Sequence, residues 1–170
     1  MLDKAGYNGE RTVLLHATDH WFFNPTASVI AHSLSKANMH IDDQAMDWAT
    51  VLTRRTSREQ IDKGGWSLFP SVIAAPDHHD PLLADFIRAK GKDAWFGWPS
   101  DPKIEQIYAA WLSATDPAEQ TRLERAYQLE AFETLPFIPL GGYRQTSAWH
   151  DNLSEILKGP SVVFWNVKKD

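Results

Sequence analysis

Apolar and polar positions alternate in a way that predicts strands and helices in the first third of the chain. Residues 12–17 form a short apolar run, which predicts a strand buried on both faces. A helix is predicted to begin at Asn24-Pro25 and to stop at Asn38, with apolar residues on one face: Val29, Ile30, Leu34 and Ala37. Residues 39–45 predict a second strand. A strand, a helix and a strand in so short a segment predict a parallel βαβ unit with a right-handed crossover.

The middle of the chain is less regular. Asp47 is a suitable N-cap for a further helix that carries Trp48, Val51 and Leu52 on one side. Residues 64–70 predict a strand that ends in a loop, because Pro70 cannot donate to a neighbouring strand. Residues 71–101 show no clear period apart from a short predicted helix at residues 82–89. A long irregular stretch of this kind is typical of functional loops and insertions.

Two later helices have clear starts. Asp101-Pro102 and Asp116-Pro117 each place an acidic N-cap before a proline at the first helical position, and Glu119 predicts a box-like cap with Asp116. Apolar residues recur at helical spacing in both: Ile104, Ile107, Tyr108, Trp111 and Leu112, then Leu123, Tyr127, Ala131 and Leu135. Residues 137–140, 143–149 and 162–165 predict three late strands.

Composition narrows the class of protein. The chain has 170 residues, the size of one ordinary domain, with 43% hydrophobic and 23% charged residues, which is typical of a globular protein. The net charge is −5 and the basic residues are dispersed, so we expect no nucleic-acid partner. The absence of cysteine excludes a disulfide scaffold and a thiolate metal site. Turn residues follow Met1-Leu2-Asp3-Lys4 where a signal peptide would be apolar, which predicts a cytoplasmic protein or one whose leader has been removed.

The common catalytic signatures are absent, and one short segment invites a metal-site interpretation. Asp77-His78-His79-Asp80 offers imidazole and carboxylate ligands, but neighbouring residues in an extended chain point apart, which favours a solvated polar loop. An alternative function nevertheless follows from it, a small metal-dependent or hydrolase-like α/β enzyme that uses His78, His79 and Asp80. His16 lies in an apolar run, which favours a hydrogen-bonded core histidine over a ligand. We expect no catalytic residue and no cofactor.

Aromatic residues are unusually frequent, with eight tryptophans in the chain. Several are predicted to lie in or beside loops: Trp21, Phe22, Phe23, Trp66, Phe69, Trp95, Phe96 and Trp98. Clustered loop aromatics suit a cleft that holds a ligand by apolar contact and stacking. They equally suit a surface that packs on a neighbouring domain, and a protein-interaction domain is therefore a further alternative.

Four motifs, in order, carry a family resemblance: Ala45-Met46-Asp47-Trp48, Gly64-Gly65-Trp66, Ala114-Thr115-Asp116-Pro117-Ala118-Glu119 and Leu135-Pro136-Phe137-Ile138-Pro139-Leu140. With them, the chain resembles the C-terminal part of the family 5 extracellular solute-binding proteins, the peptide- and nickel-type receptors of ABC transporters, from residue 5 to residue 167. The resemblance implies an α/β fold, a periplasmic-binding-protein type II-like lobe with a mixed sheet flanked by helices. It implies that residues 1–170 are the C-terminal part of the second lobe of a two-lobed protein, whose signal peptide and first lobe are absent.

The same resemblance implies a function and its partners. Such a protein binds a small solute or an oligopeptide between its lobes, works in the periplasm, and delivers the ligand to the permease subunits of an importer. The implied ligand-binding residues are Trp21, Trp66, Ser67, Leu68 and Phe69.

Two of these positions depart from the pattern of the peptide receptors. In those receptors an acidic residue three positions after the Gly-Trp pair meets the peptide amine, and Phe69 stands there in this chain. In dipeptide receptors an arginine three positions before Asn-Pro meets the carboxylate, and here that position is Trp21. An apolar wall would leave a charged peptide end unpaired. The substitutions therefore favour a longer peptide held through its backbone, or a solute with an apolar or aromatic face.

Overall fold

The computed structural model describes residues 2–74, 79–159 and 163–170. It divides the chain into two compact units, Met1–Val72 and Ile73–Asp170. No helix in the described part of the chain is long and apolar enough to cross a membrane.

The first unit is built on a parallel pair of strands. Strand β1 (Arg11–Ala17) and strand β2 (His40–Met46) run parallel, in a register that places Arg11 beside His40 and Ala17 beside Met46. Helix α1 (Phe23–Lys36) connects the two strands, so the predicted βαβ unit is confirmed. The last five residues of β1 are all buried, and the prediction of a strand buried on both faces is confirmed as well.

The buried face of α1 differs from the predicted one. Phe23 and Ala27 are buried, and Ile30 and Leu34 are half-buried at the same helical spacing, whereas Val29 is 65% exposed. The helix begins one residue before Asn24, and its first turn, rather than its apolar middle, sets which face contacts the strands. Ala37, predicted on the inner face, lies beyond the end of the helix and is exposed. Asn38 has a left-handed backbone (φ 65°), as expected of a residue that stops a helix.

Two further segments complete the first unit. Helix α2 (Trp48–Arg54) begins as predicted, because a carboxylate oxygen of Asp47 accepts a hydrogen bond from the Thr50 amide at 2.9 Å. The strand predicted at residues 64–70 is reduced to one parallel bridge between Leu68 and Leu14. Short 3-10 turns lie at Asp3–Ala5 and Ile61–Lys63.

The second unit contains a helical pair. Helix α3 (Pro102–Ser113) and helix α4 (Pro117–Thr134) begin at the predicted aspartate caps, Asp101 and Asp116. Their buried residues include Ile104, Tyr108, Leu123 and Tyr127. Leu112 and Leu135, predicted on the inner faces, are exposed. Half of the predicted capping box is confirmed, because the Asp116 carboxylate accepts from the Glu119 amide at 3.2 Å. The reciprocal half is wrong, because the Glu119 carboxylate pairs with Arg122 at 2.7 Å.

The late strands are the main error of the sequence analysis. Residues 137–140, 143–149 and 163–165 form no strand, and residue 162 lies outside the described residues. The strands found in this region are β3 (Leu153–Ser154) and β4 (Lys168–Lys169), which pair antiparallel. Apolar spacing does not supply a neighbouring strand, and a segment without one gains no ladder hydrogen bonds. The helix predicted at residues 82–89 is likewise replaced by a 3-10 turn at Asp85–Ile87, and another follows at Gly91–Asp93.

Candidate functional site

Three segments of the first unit pack against the same apolar core, which includes residues of β1. Residues 18–24 follow β1, residues 47–48 follow β2, and residues 66–69 run beside β1 through the Leu14–Leu68 bridge. We call these three segments together the carboxyl edge. In open α/β sheets, ligands bind outside the carboxyl ends of the strands. This edge is therefore the candidate site.

Aromatic rings dominate the carboxyl edge. The imidazole of His20 stacks on Phe23 with 4.2 Å between ring centroids, and lies 5.8 Å from the Trp48 ring. Phe23 and Trp48 stack on each other at 4.4 Å. Trp21 lies next to His20 at 6.2 Å and is 64% exposed. Phe23 is buried beneath this surface, whereas Trp21 lies largely at the surface.

Polar side chains hold the loop that carries Trp21. The side-chain amide of Asn24 donates to the Thr18 carbonyl at 3.0 Å, and a carboxylate oxygen of Asp19 accepts from the Trp48 amide at 2.8 Å. The Nδ1 atom of His20 accepts from the amides of Phe22 and Phe23 at 3.3 and 3.4 Å. Each of these contacts fixes a backbone group, either within the loop or at Trp48, so the side chains of the loop hold its conformation.

His16 is a core histidine with both ring nitrogens occupied. It is 7% exposed, with Nδ1 at 2.8 Å from Oδ1 of Asp43 and Nε2 at 2.9 Å from Oδ1 of Asn24. Each ring nitrogen therefore lies within hydrogen-bond distance of a side-chain oxygen. The interpretation of His16 as a satisfied core histidine is confirmed.

The polar groups of the Gly-Trp segment form hydrogen bonds within the first unit. Oγ of Ser67 accepts from the Val13 amide at 3.1 Å, and the amides of Ser67 and Leu68 both donate to the Val13 carbonyl at 2.9 and 3.0 Å. The indole of Trp66 donates to the Arg55 carbonyl at 3.1 Å and meets the Phe69 ring edge-on at 5.1 Å. Trp66 and Phe69 are half-buried and pack against the core of Val13, Leu15, Ala17, Phe23 and Val51.

One cation lies beside this apolar surface. The guanidinium carbon of Arg55 is 5.8 Å from the centroid of the Phe69 ring. Desolvation lowers the pKa of Arg55, which stays charged at neutral pH. Close by in sequence, hydrogen bonds from Thr50 lower the pKa of Asp47. The aromatic surface of the Gly-Trp segment thus lies beside a cation, an arrangement that suits ligand binding.

The structure brings some of the sequence-predicted residues together. Trp66, Ser67, Leu68 and Phe69 form one segment, and Trp21 follows the strand with which that segment pairs. Sequence reasoning missed Asp19, His20 and Asn24, which shape the loop around Trp21. Their signal was positional, since polar residues that directly follow a buried parallel strand lie at the ligand-binding edge of the sheet.

The metal-site interpretation gains no support from the described residues. In residues 2–74, 79–159 and 163–170, no group of three or more His, Asp or Glu side chains could hold a metal ion. Nε2 of His79 lies 3.3 Å from Oδ2 of Asp80, whose other oxygen accepts from the Leu82 amide at 2.8 Å. These two residues and Tyr127 line a cavity of about 80 Å³ in the second unit. Asp77 and His78 lie outside the described residues.

Periplasmic binding proteins of known structure share the fold of this chain. No family model matches the chain. Over 99% of its length it is 30% identical to a probable peptide ABC transporter periplasmic-binding protein, y4tO, of Sinorhizobium fredii. Over 96% of its length it is 25% identical to the glutathione-binding protein GsiB of Escherichia coli. The chain spans about a third of the length of these curated relatives, 32% and 33% respectively.

Solved structures agree with the sequence relatives. A crystal structure of a dipeptide binding protein from Pseudoalteromonas sp. SM9913, in complex with Met-Leu, matches 99% of this chain and 34% of its own, with a TM-score of 0.72 and 17% identity. The unliganded open form of MppA, a periplasmic murein tripeptide binding protein, matches 79% of this chain and 25% of its own, with a TM-score of 0.60 and 17% identity. The fold prediction and the resemblance to the solute-binding proteins of ABC transporters are confirmed.

Proposed function

We propose that the chain is the C-terminal part of the second lobe of a solute-binding protein that serves an ABC importer. The observation that carries this proposal is similarity over 99% of the chain to a peptide transporter's binding protein of which it spans only 32%. In this proposal the protein works in the periplasm and holds a peptide or another small solute between two lobes. The permease subunits of the importer are its partners, and it catalyses no reaction.

The carboxyl edge supports a ligand-binding role for residues 66–69 and Trp21. Trp21 offers an exposed ring, and Phe69 places a half-buried ring beside the cation of Arg55. Large aromatic faces bind apolar groups and the flat faces of peptide units through burial and stacking. Ser67 and Leu68 contribute by holding the segment against β1.

Charge at the carboxyl edge favours one group of ligands. Phe69 and Trp21 replace the acidic and basic anchors that the resemblance implies for free peptide ends. An amine placed at Phe69, or a carboxylate placed at Trp21, would lose hydration without gaining the ion pair that a charged anchor supplies. The ligand in this proposal is therefore a longer peptide held through its backbone, or a solute with an apolar face.

Ligand binding would act through population shift. A ligand that contacts both lobes stabilises the closed form by its greater affinity for that form, and closure presents a surface to the permease. One lobe alone makes only part of these contacts. We therefore expect the isolated 170-residue chain to bind at least about 100-fold more weakly than the full-length protein, which corresponds to the loss of a few kcal/mol of contacts.

Calorimetric titration of the full-length protein with a defined panel of di-, tri- and tetrapeptides tests the proposal. We expect one-to-one binding of at least one class of peptide, recovered unchanged by mass spectrometry. The isolated chain, titrated with the same peptides, serves as the comparison. Equal affinity of the isolated chain would contradict the two-lobed site, and chemical conversion of the peptide would contradict a purely binding role.

A further inference from the structure

We propose that Asn8 is a self-modification site, at which the Gly9 amide nitrogen attacks the Asn8 side chain and converts it into aspartate or β-linked aspartate, and that this change loosens the contact between the turn and β2. The site lies before β1, at the end of the strand opposite to the carboxyl edge. The inference does not depend on the proposed binding function.

The reaction needs only the two residues and water. The Gly9 nitrogen forms a bond to Cγ of Asn8, and the side-chain nitrogen leaves as ammonia, which takes up the proton that the Gly9 nitrogen has lost. The product is a cyclic imide. Water then opens the ring. Addition at Cγ gives aspartate, and addition at the main-chain carbonyl carbon of residue 8 gives β-linked aspartate, whose main chain runs through the side-chain carbon.

Gly9 makes the attacking nitrogen accessible. Its backbone is left-handed, with φ of 88°, and nothing lies within 4 Å of the position that a Cβ atom would occupy. Because glycine has no side chain, the path to its nitrogen is open and its backbone moves readily between conformations. Within residues 2–74, 79–159 and 163–170, no group accepts a hydrogen bond from the Gly9 amide. Its proton can therefore pass to water.

The side chain of Asn8 can reach that nitrogen. Asn8 is exposed, and its Nδ2 donates to the Gly6 carbonyl at 3.1 Å. Gly6 is exposed as well, and water replaces a hydrogen bond between exposed groups at little net cost. The main-chain amide of Asn8 donates to the Glu10 carboxylate at 2.8 Å, which holds the backbone of the turn but not Cγ. Rotation about the Cα–Cβ bond is then sufficient to bring Cγ to the Gly9 nitrogen.

Two other asparagines precede residues that disfavour the attack. Asn24 is followed by Pro25, whose nitrogen carries no proton to lose. Asn166 is followed by Val167, whose β-branched side chain crowds the nitrogen.

The remaining two asparagines precede amides that are already engaged. The Met39 amide, which follows Asn38, donates to a main-chain carbonyl at 3.1 Å. The Leu153 amide, which follows Asn152, does the same at 3.1 Å. Each amide would have to break this hydrogen bond before its nitrogen could react, so these two asparagines are internal controls for Asn8.

Modification would disturb the contact between the turn and β2. Oη of Tyr7 donates to the Glu10 carbonyl at 2.8 Å and accepts from the His40 amide at 2.7 Å. Aspartate would place a carboxylate oxygen against the Gly6 carbonyl, where Nδ2 of Asn8 now donates. β-Linked aspartate would lengthen the main chain between residues 8 and 9. We expect either product to displace Tyr7 and to leave the His40 amide without its acceptor.

The experiment follows the full-length protein during incubation in a mildly alkaline buffer. Digested samples are analysed by mass spectrometry for the mass gain that accompanies replacement of the side-chain NH2 by OH, and electron-transfer fragmentation separates β-linked from ordinary aspartate. Hydrogen exchange of the His40 amide is measured before and after incubation. Asn8→Gln is the matched variant, because it keeps an exposed amide but must close a larger ring to react.

We expect Asn8 to be converted at least about tenfold faster than Asn38 and Asn152, which corresponds to a barrier lower by about 1.4 kcal/mol. β-Linked aspartate should be among the products. After incubation, the His40 amide should exchange about tenfold faster in wild type, as for the loss of one hydrogen bond, and at an unchanged rate in Asn8→Gln.

Equal conversion of Asn8 and Asn38 would overturn the proposal. A product that is ordinary aspartate alone would overturn it as well, because direct hydrolysis of the side chain gives no β-linked form. Unchanged exchange of His40 in the converted protein would overturn the coupling to β2. Peptide titration is a separate measurement, and its result leaves each of these outcomes as it is.

Discussion

Oδ1 of Asp43 lies 2.8 Å from Nδ1 of His16, and this contact joins β2 to β1 diagonally, because the residue directly beside His16 is Ala45. Asn24 at the start of α1 accepts from the other ring nitrogen at 2.9 Å. One buried imidazole thus ties together the two strands and the helix of the βαβ unit. The same asparagine holds the Thr18 carbonyl, which extends the network into the loop that carries Trp21.

Asn24→Ala should destabilise the first unit. The substitution leaves Nε2 of the buried His16 without its partner, and an unsatisfied buried polar group costs about 1–3 kcal/mol, whereas water can replace the partner of the exposed Thr18 carbonyl. We expect the free energy of unfolding, measured with urea on the full-length protein, to fall by that amount. Asn152→Ala at an exposed loop of the second unit is the control. Equal stabilities of the two variants would show that the network contributes nothing.

The sequence predicted the βαβ unit because its signals are local. The apolar run of β1, the helix start near Asn24-Pro25 and the asparagine stop at Asn38 each act within a few residues. The aspartate caps of α2, α3 and α4 are local in the same way. These features persist in the structure because no distant contact competes with them.

Distant partners explain what the sequence did not predict. Residues 137–140 and 143–149 have apolar spacing, but strand formation needs a neighbouring backbone that spacing cannot reveal. Large exposed side chains remain there, among them Ile138, Leu140 and Trp149. The role of His20 was missed for a related reason, because its two hydrogen bonds depend on the turn that the loop makes before α1.

Gly65→Ala should be strongly destabilising. A Cβ atom at this position would lie 2.1 Å from the Glu59 carbonyl oxygen and 2.8 Å from the Gln60 carbonyl carbon. Both atoms belong to the backbone, so the chain between α2 and the Gly-Trp segment would have to move. We expect a loss of about 2 kcal/mol or more in unfolding free energy, as for other overpacked sites.

Gly142→Ala is the matched control, because nothing lies within 4 Å of the Cβ it would add. A thermal melt of each variant gives the comparison. If Gly65→Ala melts at the same temperature as Gly142→Ala, the close approach does not constrain the segment that carries Trp66.

Ser67→Ala should expose the Val13 amide. Oγ of Ser67 is the acceptor for that amide at 3.1 Å, where a regular strand would offer a backbone carbonyl. Alanine removes the acceptor and preserves the backbone contacts of residues 67 and 68 to the Val13 carbonyl. We expect faster hydrogen exchange at Val13, by about tenfold for a loss near 1.4 kcal/mol, with exchange in α3 unchanged. Unchanged exchange at Val13 would mean that the serine does not complete the sheet.

Glu105 should make the second unit sensitive to acid. Its carboxylate forms a bidentate pair with Arg88 and accepts from the Ala89 amide at 2.8 Å, while the guanidinium of Arg88 lies over the Tyr108 ring at 3.5 Å. The pair is largely shielded, with side chains 15% and 26% exposed. The hydrogen bond from Arg88 lowers the pKa of Glu105 below its ordinary value of 4.5.

A carboxyl group whose pKa is lower in the folded state stabilises the fold fully above its unfolded pKa, and this contribution is lost as the pH falls through the folded value. Glu105→Gln keeps an oxygen for the Ala89 amide but removes the charge. We therefore expect the variant to be less stable than wild type at pH 7, by about 1–3 kcal/mol. The difference should shrink as the pH falls below 4.5, because wild type then loses the same charge. Urea unfolding at a series of pH values measures it, with Glu119→Gln as the control. The Glu119 side chain is 42% exposed and pairs with Arg122 within α4, so its substitution should change stability much less at every pH. A stability difference for Glu105→Gln that does not shrink below pH 4.5 would contradict an ionic role for the Arg88–Glu105 pair.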